Sequence, residues 1–129
     1  MVGRKFGRIV AVASTAGLKG YPYVSAYCTT KHAVVGLVRS LAVETAKTGV
    51  TVNAVCPGYT DTDLVRDSVA SVSGKTGKSH DDVVAQYVKD VPMARLIKPE
   101  EVAAAVVYLC SADAAAVTGT AMTIAGGEI

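Results

Sequence analysis

The chain has 129 residues, half of them apolar and 19% charged, which predicts one folded, soluble domain with its own core. Its net charge is +2 with the basic residues scattered, too weak a field to argue for nucleic acid, and no run of about 18 residues is uniformly apolar, so no membrane span is expected. Cys28, Cys56 and Cys110 are odd in number and form no Cys-x-x-Cys, and the N-terminus lacks a signal-peptide pattern, which together predict reduced thiols and a cytoplasmic location.

In chain order, Arg8 to Ala13 is a short apolar run that reads as a strand buried on both faces, the pattern of a parallel sheet. A loop marked by Gly17, Gly20 and Pro22 follows. From Ser25 to Lys47 the apolar positions Val34, Leu37, Val38, Leu41, Val43 and Ala46 are spaced for a helix, with Gly49 as its stop. The apolar arc is wide enough for a second face to pack on a partner subunit. Val50 to Cys56 is a second strand, closed by Pro57-Gly58, and the three elements form a βαβ unit whose crossover should be right-handed. Residues 63–95 are more polar. A short helix precedes a turn-like stretch at 73–79, and another helix covers Asp81 to Asp90 with Ser79 or His80 near its cap. Pro99-Glu100-Glu101 opens a helix running to about Cys110. Asp113 is expected to cap a final short helix, and Ala121 to Ala125 reads as the last strand, ended by Gly126-Gly127.

Tyr27 and Lys31 lie four apart on the first helix, so a phenol and an ammonium share one face. An ammonium beside a phenol favours the phenolate, which suits the phenol to acid/base work. Ser14, just past the first strand, adds a hydroxyl able to hold a carbonyl or alcohol oxygen. Ser14 and Pro57-Gly58 both lie outside carboxyl ends of strands, where open α/β sheets bind ligands. A bare Tyr-x-x-x-Lys is weak evidence, and its bland reading is a core-edge tyrosine beside a solvated lysine. Gly74-Lys75-Thr76-Gly77-Lys78-Ser79 lacks the earlier glycine and the preceding strand of a phosphate loop. Cys28 and His32 are two ligands without a third, so they read as packing residues and no metal site is expected.

The ordered set formed by Gly7-Arg8-Ile9-Val10 leading to Ser14, Tyr27 to Leu37 with Lys31, Val52 to Thr62, Pro99 to Ala103, and Thr118-Gly119 through Gly127 resembles the short-chain dehydrogenase/reductase family. The resemblance covers essentially the whole chain. It implies a doubly wound, Rossmann-like α/β fold with a parallel sheet, of which residues 1–129 are a single domain. It implies the C-terminal catalytic half only: the N-terminal βαβ units, with their Gly-rich turn and catalytic asparagine, have no counterpart here. Tyr27 would be the acid/base, Ser14 the residue orienting the substrate oxygen, and Lys31 the residue tuning the tyrosine and contacting the nicotinamide ribose. NAD or NADP would lie against Tyr27, Lys31, Pro57, Gly58, Thr60 and Thr62. The implied activity is interconversion of an alcohol and a ketone, most like 3-oxoacyl or 3-hydroxyacyl thioester and polyketide members. Residues 63–90 are expected to form a lid over the substrate, with Leu64, Val65, Val83, Val84 or Tyr87 lining the pocket. A homo-oligomer is expected through helix 25–47 and the C-terminal strand. The rival expectation is a truncated, non-catalytic remnant serving oligomerisation or regulation.

Overall fold

A computed structural model describes all 129 residues. The elements run β1 (Gly7–Val12), α1 (Ser25–Thr45), β2 (Val50–Pro57), α2 (Asp63–Thr76), α3 (His80–Val88), α4 (Pro99–Cys110) and β3 (Ala121–Ile124). Short 3-10 turns occupy Val2–Arg4 and Thr15–Gly17. The three strands form one parallel sheet in the order β1-β2-β3. Gly7 pairs with Val50 through to Val12 with Val55, and Ala54 pairs with Ala121 through to Pro57 with Ile124.

The continuous apolar reading of β2 follows from its central place, because a strand flanked on both edges and covered on both faces has no polar side. Val52, Asn53, Ala54, Val55 and Cys56 are fully buried. Alternation along the strand sends Val50, Val52, Ala54 and Cys56 to one face, where they pack on Val35, Val38 and Ala42 of α1 and on Ala13. The other face is covered by α4, which contacts all three strands and buries Leu109 completely. Burying that one leucine contributes roughly 1.5–3 kcal/mol. Helices on both faces of a parallel sheet make the doubly wound arrangement. No helix is long and apolar enough to cross a membrane.

Thr51 and Asn53 are the polar exceptions in β2, and Asn53 is fully buried and bonded through both ends of its amide. Its Nδ2 donates to Val117 O at 2.8 Å, and its Oδ1 accepts from Thr120 N at 3.1 Å. One buried amide thus ties the segment leading into β3 to the centre of the sheet.

The structure corrects four sequence expectations. The first strand, expected to be buried on both faces, is an edge strand with Ile9 and Val12 exposed. The final short helix is absent: residues 112–117 make successive turns, with Ala115 N donating to Ala112 O and Val117 N to Ala114 O. Fully buried Ala114 anchors this segment, and Gly119, at φ 74°, breaks it before β3. The turn expected at 73–79 is shorter, because α2 continues to Thr76 and ends at Gly77, at φ 70°. Its buried stripe explains the extension: Val65, Val69 and Val72 recur at helical spacing, and α2 and α3 pack on each other as a hairpin. The helix expected over Asp81 to Asp90 is His80–Val88, two residues short of Asp90, with the Ser79 hydroxyl accepting from Asp82 N at 3.1 Å.

Candidate active site

The carboxyl end of β1 carries the first part of the site. Ala13 N still donates to Val55 O at 2.8 Å, extending the ladder one residue past the strand. The chain then turns at Ser14, whose hydroxyl accepts from Ala16 N at 3.1 Å and so caps the 3-10 turn Thr15–Gly17. That turn is buried and packs on α1. It can do so because Gly17 has no side chain: an added Cβ would stand 2.7 Å from the Lys31 carbonyl oxygen, which no neighbour could relieve.

Tyr27 lies in the first turn of α1, with its ring 45% exposed. Lys31, one turn later, extends its Nζ to Val12 O at 3.1 Å. The same ammonium lies 5.6 Å from the centre of the Tyr27 ring, within cation–π range. The lysine therefore joins the helix face bearing Tyr27 to the last carbonyl of β1, two residues before Ser14. Exposed Tyr27 and half-buried Lys31 thus lie at the end of β1, the strand that leads to half-buried Ser14.

At the adjacent strand end, Gly58 N donates to Ile124 O at 3.1 Å, Ile97 N donates to Tyr59 O at 2.8 Å, and Asp61 N donates to Ile97 O at 2.9 Å. The turn after Pro57 is thus stapled between β3 and residue 97. Thr60 Oγ1 donates to Gly58 O at 3.0 Å, and Thr62 stands at the N-cap of α2 without capping it. Both hydroxyls lie on the same carboxyl edge as Tyr27.

Residues 63–90, expected to form a lid, fold as the α2–α3 hairpin. Tyr87 packs its ring against Tyr59 at 5.0 Å between centres and shares a 2.7 Å hydrogen bond with Ser68. Val65 and Val84 are half-buried. Val83 is fully buried, as is Val69, so it belongs to the hairpin core. Leu64 is 77% exposed because it falls off the Val65–Val69–Val72 stripe.

Sequence reasoning missed a second cluster beside Ser14. The Glu128 side chain is 4% exposed and pairs with Lys19 Nζ at 3.1 Å. The Tyr21 hydroxyl is bonded to both Glu128 Oε1 and Thr15 Oγ1. Burial, and then the bond to Glu128, push the Tyr21 phenol above the ordinary tyrosine range. Burial also raises Tyr59, with the charge of Glu128 adding to it. Tyr21 and Glu128 lie 107 positions apart, and nothing local in the sequence marks the pair. Burial raises the Cys56 thiol, as suits a packing residue, and His32 Nδ1 lies 2.9 Å from Cys28 O within its own helix. No group of three or more potential ligands could hold a metal ion.

An open parallel sheet with helices on both faces defines a doubly wound α/β class of protein. Residues 1–128 match the family described as "Enoyl-(Acyl carrier protein) reductase". The chain belongs to the short-chain dehydrogenase/reductase family. It is 43% identical over 128 residues to the uncharacterized oxidoreductase YxjF of Bacillus subtilis, covering 98% of this chain and 50% of that protein. It is 38% identical over 128 residues to the D-beta-hydroxybutyrate dehydrogenase of Rhizobium meliloti, with the same two coverages. Among solved structures, a point variant of the actinorhodin polyketide ketoreductase with NADPH superposes with a TM-score of 0.91 at 40% identity, over 99% of this chain and 49% of that one. The chain spans about half the length of the curated relatives it matches.

Proposed function

We propose that this chain carries the acid/base machinery of an NAD(P)-dependent oxidoreductase that interconverts an alcohol and a ketone, with a 3-hydroxyacyl/3-oxoacyl-type compound as substrate. The observation that carries the reading is the Tyr27–Lys31 pair beside Ser14, with Lys31 anchored on Val12 O and the Tyr27 ring open to solvent. The Ser14 hydroxyl holds the substrate oxygen, and Tyr27 Oη gives or takes the proton on that oxygen as the carbonyl is reduced or re-formed. Lys31 fixes Tyr27 electrostatically and offers the remaining ammonium protons to a ribose. Lys31 at one strand end and the hydroxyls of Thr60 and Thr62 at the next suit the nicotinamide side of the cofactor. The nicotinamide supplies or accepts the hydride when bound. The acyl substrate class rests on relatives named as a hydroxybutyrate dehydrogenase and a polyketide ketoreductase.

Tyr27→Phe keeps the ring and removes the ionisable hydroxyl. In an active enzyme containing this chain, the substitution should lower kcat by roughly 10²-fold or more, the scale of lost acid–base catalysis. Turnover close to wild type in Tyr27→Phe would remove the reading.

A second reading, an oligomerisation module without catalysis, draws on the apolar side chains that α1 and α4 leave outside. Leu37 is 59%, Val43 80% and Val107 68% exposed. Saturable binding of NADH or NADPH, measured by titration and weakened by Lys31→Ala, would favour the enzyme over the module.

A further inference from the structure

Glu128 combines two features that the acid/base reading does not use. Its carboxylate is inside the protein, and its contacts reach both halves of the site. A desolvated carboxylate needs donors, and both donors to Oε1 come from the loop that follows Ser14: Lys19 at 3.1 Å and the Tyr21 hydroxyl. A phenol has one proton and a carboxylate only accepts. The phenol proton therefore goes to Glu128, and the Thr15 hydroxyl donates in turn to Tyr21 Oη across 2.7 Å. Thr15 follows Ser14 directly and is itself buried. The second oxygen, Oε2, has no donor and lies against the other half of the site, where a Cβ added at Gly58 would stand 3.0 Å away.

The turn at Gly126 and Gly127 aims the carboxylate inward. Their φ angles are 61° and 87°, which glycine adopts without strain. Gly126 O also accepts from Met93 N at 3.1 Å, so the turn is held from outside the cluster. The loop bearing Ser14 is thus bonded to a fixed anchor, and it can leave only by stripping a buried charge of its donors.

We infer that Glu128 is a positioning residue, which through Tyr21 and Thr15 holds the backbone presenting Ser14 against the Pro57–Gly58 turn. The catalytic part of this inference rests on Ser14 contacting the substrate oxygen; the structural part does not.

The test compares Glu128→Ala, Glu128→Gln and Tyr21→Phe by segment-resolved hydrogen exchange and by kinetics. Glu128→Ala and Tyr21→Phe should speed amide exchange across residues 13–24 by roughly tenfold, the scale of one lost hydrogen bond, while β2 amides keep their wild-type rates. Glu128→Gln retains an oxygen to accept from Tyr21 and should restore most of the protection. In turnover, Glu128→Ala should lower kcat by about tenfold with a smaller change in KM, as expected for a misplaced contact to the reacting oxygen. Unchanged exchange at 13–24, an equal rise across the whole chain, or a loosened loop with unchanged kcat would each overturn the inference. If Glu128→Ala does not fold, Lys19→Met and Tyr21→Phe carry the same comparison. A loop loosened as expected in a chain where Tyr27→Phe leaves turnover intact would keep the anchor and undo the catalytic reading instead.

Discussion

At the start of α4 a single carboxylate does the work of a cap. Glu101 accepts from Lys98 N at 2.8 Å, reaching back from the third helical position to the N-cap backbone. Arg95 Nη1 and Nη2 also donate to it, at 2.8 and 2.7 Å, the forked geometry that makes arginine pairs strong. These bonds, the arginine's first, pull the Glu101 carboxyl from its ordinary 4.5 down to about 2. A carboxyl whose folded pKa is depressed contributes stability above its unfolded pKa and loses it as pH falls toward the folded one. Glu101→Gln should therefore lower the urea midpoint at neutral pH. The gap between variant and wild type should close as pH falls from 4.5 to about 2. Because the pair is solvent-exposed, concentrated salt should narrow the gap at neutral pH as well. A gap independent of both pH and salt would show that the interaction is not ionic. Sequence reading found the Pro99 start and the acids of the first turn. It did not find Arg95, because pairing across a bend depends on backbone geometry rather than on helical spacing.

The α2–α3 hairpin is the element whose role differs most from the rest of the fold. The sheet and α1 build the carboxyl edge that bears Ser14 and Tyr27, whereas the hairpin meets that edge through Tyr87 packed at a tilt against Tyr59. Exchanging residues 63–90 for the matching segment of a relative should change relative kcat/KM across a panel of oxo-acyl substrates and leave the NADH-to-NADPH ratio in place. Unaltered substrate ratios after the exchange would count against a lid. The strands and α1 were legible because a buried strand is apolar throughout and an amphipathic helix repeats its apolar residues. α2 was harder. Ser71, Ser73 and Gly74 are poor helix formers, and the stripe that overrides them is recognised only once Val69 and Val83 are seen buried in the hairpin. The final helix failed for the opposite reason: Ala112, Ala114, Ala115 and Ala116 are good helix formers, but the stretch is too short to hold a helix before Gly119. Ser14, Tyr27 and Lys31 could be picked out because helical spacing and strand ends are local properties. The Thr15–Tyr21–Glu128 chain could not, since it exists only after β3 has been placed.

For the molecule as a whole, one side of the sheet is unlike the other. β2 is sealed on both edges, whereas β1 is an edge strand with Val12 58% and Ile9 37% exposed. An open parallel edge with apolar side chains invites pairing with another chain. As a free polypeptide, the 129-residue chain should self-associate with rising concentration, and Val12→Lys should reduce that association, both measured by light scattering on a sizing column. A monodisperse monomer at every concentration would contradict this. The sheet also has a consequence in time. β2 finds β1 across α1 and the loops flanking it, but Ala54 meets Ala121 only after a longer stretch of chain has been closed, and longer closures cost somewhat more entropy. The β1–α1–β2 pairing is thus the natural early nucleus, and β3 joins late, carrying Glu128 with it. Changes in the nucleus would then be felt as slower folding, and changes in β3 or Glu128 as faster unfolding. The Glu128 anchor would be the last part to assemble, after the β1–α1 part that bears Ser14, Tyr27 and Lys31, and the first to open.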